Sequence, residues 1–199
     1  MLLDKLKNYR VILASASPRR KELLQGMGIA YTVELCNEVD EAYPPELPLD
    51  EIPDFLARLK SQAFARPLAD DELLITADTV VLCNGQALGK PTDADSAACM
   101  LQMLSGNIHK VLTGVCLRTN RREKCFTAHS EVTFRILSPD EITYYINTCK
   151  PFDKAGAYGV QEWIGYTAIE HIEGSYFNVM GLPTQRLYVE LDMFLEASR

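Results

Sequence analysis

Three cations stand together where local chain geometry disfavours them. Ser15-Ala-Ser17-Pro18-Arg19-Arg20-Lys21 follows the apolar run Val11-Ile-Leu-Ala14. Serine is a favoured N-cap and proline a favoured first helical residue, so a helix is predicted to open at Ser17-Pro18. Its first turn is already the positive end of the macrodipole, and each cation there is unfavourable by about 0.3–1 kcal/mol. An anion would relieve that conflict. Free N–H groups, the hydroxyls of Ser15 and Ser17 and the guanidinium forks of Arg19 and Arg20 together suit a phosphate. A solvated basic helix start is the plain alternative.

Asp78 is the second chemical signal. It interrupts Leu73-Leu-Ile-Thr-Ala-Asp-Thr-Val-Val-Leu82, otherwise a core strand. A charge buried there must be paired, protonated, metal-bound or turned to a cleft. Thr79 beside it adds a hydroxyl that could touch a substrate. Lys60 lies among apolar residues at helical spacing, and Gly89-Lys90-Pro91 puts a point charge on a turn with close backbone access. Asp153-Lys154-Ala-Gly-Ala-Tyr-Gly-Val-Gln161 packs an ion pair, two glycines and an amide into one short segment, a loop shaped for a ligand. Glu38, Asp40 and Glu41, in a proline-broken acidic stretch, are candidate ligands for a hard cation together with Asp78. A solvated acidic loop explains those three equally well.

These residues need an α/β frame. Apolar strand-like runs alternate with helical patterns, which predicts a mixed twisted sheet with flanking helices, in two intimately packed lobes around a central cleft. Strands are expected near residues 11–14, 31–35, 73–82, 110–118 and 125–134, and helices over 18–27, 54–66, 93–104, from 138, and from 183 towards 194. Asn84-Gly85 predicts a hairpin turn, and a second hairpin is expected around Glu173-Gly174. No linker separates independent domains, so residues 1–199 are expected to form one.

Composition narrows the function. The chain has 199 residues, 47% of them apolar, enough for a real core. Its net charge of −7 argues against coating nucleic acid, which draws on pooled Lys and Arg. Six scattered cysteines without Cys-x-x-Cys, and three isolated histidines, suggest reduced thiols in a cytoplasmic protein and no zinc cluster. No apolar run approaches membrane-spanning length, and the N-terminal apolar stretch is too short and too charged for a signal peptide.

Ser15-Ala-Ser-Pro-Arg-Arg20, Ala77-Asp-Thr79, Gly89-Lys-Pro91, Leu104-Ser-Gly106, Asp153 to Gln161 and Gly181-Leu-Pro183 occur in one order across nearly the whole chain. In this the sequence resembles the Maf family of nucleotide pyrophosphatases. The resemblance implies hydrolysis of nucleoside triphosphates to monophosphate and pyrophosphate with Mg²⁺ or Mn²⁺. It also implies a fold like that of inosine triphosphate pyrophosphatases, and a homodimer would be unsurprising. Arg20, Thr79 and Gln161 match the subgroup acting on dTTP and UTP. Glu162 departs from the glycine usual in the family, which puts the local turn in doubt.

The expected mechanism has Arg19, Arg20, Lys60, Lys90 and Lys154, with Ser15 and Ser17, gripping the triphosphate. Asp78 is either a metal ligand or the base for the attacking water, and the family resemblance assigns it the base role. Thr79 and Gln161 would meet the base edge. Two alternatives remain at this point: a pyrophosphatase for modified or methylated nucleotides, and a non-catalytic nucleotide-sensing regulator of cell division.

Overall fold

The computed structural model describes residues 1–196. Seven strands form one mixed sheet in the order β2-β1-β3-β5-β6-β7, with β4 paired to β3. β1 (Arg10–Leu13) runs parallel to both β2 (Thr32–Val33) and β3 (Glu72–Cys83). β4 (Gln86–Leu88) folds back antiparallel on β3 through Asn84-Gly85, both at positive φ, as the turn signal predicts. β5 (Ile108–Arg118) and β6 (Glu123–Phe134) follow, and β7 (Ile169–Glu173) pairs antiparallel with β6. Nearly every residue of β3 is buried, the pattern of a strand covered on both faces.

The chain divides into two compact units. Among the described residues the first comprises residues 1–78, 113–128 and 181–196. It contains α1 (Leu2–Leu6), α2 (Pro18–Gly26), α3 (Ile52–Gln62) and, beyond the intervening unit, α8 (Thr184–Glu196). Ile12, Ala14, Phe64, Leu68 and Leu74 form one of its apolar clusters. The second unit, Thr79–Leu112 with His129–Met180, holds α4 (Ala94–Leu104), α5 (Pro139–Cys149), α6 (Trp163–Thr167) and α7 (Tyr176–Met180). Its core joins Val81, Leu101, Val132, Phe134, Tyr145 and Tyr158.

Helix starts follow the capping signals. Ser17 caps α2 with Pro18 in the first turn, and reciprocal capping boxes open α4 (Asp93 with Ser96) and α5 (Ser138 with Glu141).

Three expected elements come out differently. The strand near 31–35 shrinks to two residues, because β2 has a neighbour on one side only and Glu34 is taken by Arg66. The helix expected over 54–66 runs Ile52–Gln62, and beyond its early end Arg66 is drawn off to Glu34 and the buried Glu72. No hairpin forms at Glu173-Gly174: β7 ends there, and Ser175 Oγ accepts the Asn178 N–H to open α7. Asn178 is buried and donates to Val111 O and Ser130 Oγ, which fixes α7 inside. The doubt over Glu162 is resolved too. Its φ of −98° and ψ of 179° are extended backbone open to any residue. Among the described residues no helix is long and apolar enough to cross a membrane.

Candidate active site

Asp78 is buried near the middle of β3, and its Oδ1 lies 2.5 Å from Lys60 Nζ. The same ammonium lies 2.9 Å from Glu41 Oε1. One lysine therefore gathers two carboxylates that are 37 residues apart in sequence (78 − 41). The lysine is placed by α3, which two contacts pin to the sheet. Thr76 Oγ1, two residues before Asp78 on β3, donates to Ala57 O at 2.7 Å. Gly114 on β5 meets the start of α3 so closely that a Cβ there would lie 2.1 Å from Pro53 O. Ala57 and Lys60 share a face of α3, so the first contact carries the ammonium to Asp78.

The opening motif converges on the same place. Ser17 Oγ accepts the Arg20 N–H, and Ser15 Oγ accepts the Ser17 N–H at 3.2 Å. Arg20 reaches back over this turn. Its Nε donates to Gly181 O at 2.9 Å, and its Nη1 donates to Ala77 O at 2.8 Å, one residue from Asp78. Desolvation lowers the pKa of this half-buried guanidinium, while the charges of Asp78 and Glu41 work the other way. The expected phosphate clamp is thus also a backbone clamp, tying three sequence motifs together. Arg19 is half-buried beside it.

In the second unit the segment from Lys154 to Val160 is buried apart from the half-exposed Ala155. Lys154 Nζ lies 2.7 Å from Asp153 Oδ1 and 2.9 Å from Glu162 Oε1. Gly156 N donates to Gly89 O at 3.0 Å, so the Gly89-Lys90-Pro91 turn and the glycine loop are joined. Lys90 is exposed, with no side-chain partner among the described residues. Gln161 is half-buried, but its Oε1 is buried without a hydrogen-bond partner among the described residues. An orphaned acceptor of this kind suits a ligand N–H. Thr79 is half-buried next to Asp78.

The expected metal ligands are only partly gathered. Glu41 and Asp78 come together around Lys60; Glu38 and Asp40 are exposed, and Asp40 Oδ1 accepts the Ala42 N–H. Two hard carboxylates flanking one cationic point are a donor set that fits a divalent cation sharing substrate phosphate oxygens. Among the described residues the group of three close ligand atoms is a different one, Cys116, Glu123 and Cys125, within 4.8 Å of one another. Sequence spacing conceals it, because it forms across β5 and β6. Glu123 there is bound by Arg58 at 3.3 Å and by Ser61 Oγ at 3.3 Å. All six cysteines are free thiols.

The model of the family described as "Maf-like protein" matches residues 10–194. The chain belongs to the Maf family. This Maf protein is 54% identical over 190 residues to a dTTP/UTP pyrophosphatase of Bacteroides fragilis, covering 96% of this chain and 98% of that one. It is 52% identical to one of Bacteroides thetaiotaomicron, with the same coverage. A third, from Porphyromonas gingivalis, is 49% identical over 99% of this chain and all of its own.

Proposed function

We propose that this Maf protein hydrolyses dTTP and UTP to the monophosphate and pyrophosphate, the activity its relatives are named for. The observation that carries the proposal is the meeting of Lys60, Glu41 and the Arg20 clamp at Asp78. A triphosphate brings about four negative charges, so most of the barrier is positioning and charge neutralisation. Lys60, Arg19, Arg20, Lys90 and Lys154 supply cations, with the Ser15 and Ser17 hydroxyls and the α2 N-terminus beside the first three. Asp78 takes the proton of a water that attacks the α-phosphorus, and the bond from that phosphorus to the bridging oxygen of the leaving pyrophosphate breaks. Glu41 and Asp78 are the carboxylates suited to Mg²⁺ or Mn²⁺, which when bound would neutralise phosphate charge.

Base choice is assigned to Gln161 and Thr79. The orphaned Gln161 Oε1 matches an N3–H donor and the amide NH₂ matches an O4 acceptor. Thymine and uracil present that pair, and cytosine does not. A panel of triphosphates, assayed for pyrophosphate and monophosphate with and without EDTA, tests this. The expected result is equimolar pyrophosphate and monophosphate from dTTP and UTP, lost on chelation. Diphosphate with free phosphate as products, or equal turnover of purine triphosphates, would refute it; nucleotide binding without turnover would favour a sensing role instead.

A further inference from the structure

Glu162 holds the glycine loop at both ends. One carboxylate oxygen lies 2.9 Å from Lys154 Nζ, and the other accepts the Tyr145 O–H. Tyr145 Oη in turn accepts the Gly159 N–H at 3.0 Å. Two hydrogen bonds and an ion pair thus link Gly159 near the loop's end, through Tyr145 on α5 and Glu162, to Lys154 at its start.

We propose that Glu162 is a positioning residue for the hydrolysis, acting through Lys154. The inference rests on the assignment of Lys154 to substrate phosphate above. Lys154 is 7% exposed, and an ammonium that deep needs a fixed counter-charge. Asp153, its other partner, has a side chain 56% exposed, whereas that of Glu162 is 22% exposed. Asp153 is closer and accepts a hydrogen bond from Nζ, but water screens that pair more, so Glu162 supplies the less screened counter-charge. Tyr145 makes that anchor rigid. It is fully buried on α5, and burial, then Glu162, push its phenol pKa well up, keeping it a proton donor to the carboxylate.

Packing leaves the group little freedom. A Cβ at Gly159 would lie 2.9 Å from Glu162 Cδ and 3.0 Å from Lys154 Cε. The carboxylate and the lysine stem therefore lie directly on the loop backbone, and a side chain at position 159 would displace them. Glu162 also follows Gln161, so the same brace fixes the backbone that presents the orphaned amide.

A carboxylate beside a phosphate-binding lysine also repels substrate. If repulsion were its main effect, removing the charge would lower KM and leave kcat alone. A positioning role requires kcat to fall. The test uses the full-length enzyme with dTTP and the variants Glu162→Gln, Glu162→Asp, Lys154→Gln and Glu162→Gln/Lys154→Gln. We expect Glu162→Gln to lower kcat about tenfold, the scale of lost supporting hydrogen bonds around a site, with KM moving less. Aspartate should restore part of the loss, and the Glu162→Gln effect should largely vanish in the Lys154→Gln background. Tyr145→Phe removes one donor to the carboxylate and should lower kcat in the same direction, which keeps the test open should Glu162→Gln not fold. An impaired Lys154→Gln beside unchanged kcat in folded Glu162→Gln overturns the positioning role and leaves the function standing. A full-sized Glu162→Gln loss in the Lys154→Gln background overturns it as well. Wild-type kinetics in Lys154→Gln would remove the role of Lys154 in the proposed function, and this inference with it.

Discussion

The roles proposed for Asp78 and Arg20 differ, although Arg20 donates to the carbonyl of Ala77, the residue before Asp78. With Asp78 as the base, Asp78→Asn is expected to lower kcat roughly 10²–10⁴-fold while nucleotide still binds, measured by turnover and by calorimetric titration. Near-normal turnover would remove it from the chemistry. Arg20 spans the carbonyls of Ala77 and Gly181 with two N–H groups of one planar fork. Lysine keeps the charge but lacks the fork, so Arg20→Lys should lower both activity and melting temperature. Loss of activity alone would mean the backbone clamp is idle. Asp78 was legible in the sequence because a charge breaks an apolar strand. Glu41 was legible only as one of three acids in a loop, since nothing in the spacing says which one Lys60 will reach. The backbone use of Arg20 was invisible: its acceptors are carbonyls 57 and 161 residues away, and every residue has one.

Among the elements, α3 bears most directly on the site. Gly114→Ala should force α3 away from β5, destabilising the protein by about 1–3 kcal/mol or more, and should lower kcat because Lys60 rides on that helix. Denaturant midpoint and kcat measured on the same sample check both parts; a change in stability without a change in kcat would uncouple the helix from Asp78. Helix starts were readable because caps are local chemistry, and β3 and β5 because near-continuous burial leaves long apolar runs. The C-terminal end of α3 and the length of β2 were not, because the Arg66 pairs with Glu34 and Glu72 bear on both. The false hairpin at Glu173-Gly174 has the same origin: a turn signal names a bend, and the partner strand was β6 rather than the chain ahead.

At the scale of the molecule, one buried histidine sets an acid limit. His109 is buried against Phe134 and Tyr158; its Nε2 is 2.8 Å from Tyr158 Oη and its Nδ1 has no partner among the described residues. Burial lowers its pKa to about 4 from 6.5. Between those values the unfolded chain binds the proton that the folded one refuses, so stability falls as pH drops from about 6.5 to about 4, by on the order of 3 kcal/mol. Glu141, held at about 2 by Arg135 and then by the Ser138 N–H, loses its contribution only below its unfolded value of 4.5. Urea midpoints from pH 7 to pH 4.5 should therefore decline in the native chain and stay nearly level in His109→Gln. An equal decline in both would acquit the histidine.

The polypeptide passes from one compact unit to the other at 78/79, 112/113, 128/129 and 180/181, and the first three passages fall inside β3, β5 and β6. Neither half is thus a stretch of gene that could be borrowed, duplicated or discarded by itself. A crossover between related genes at any of those three points would join half-strands of different parentage.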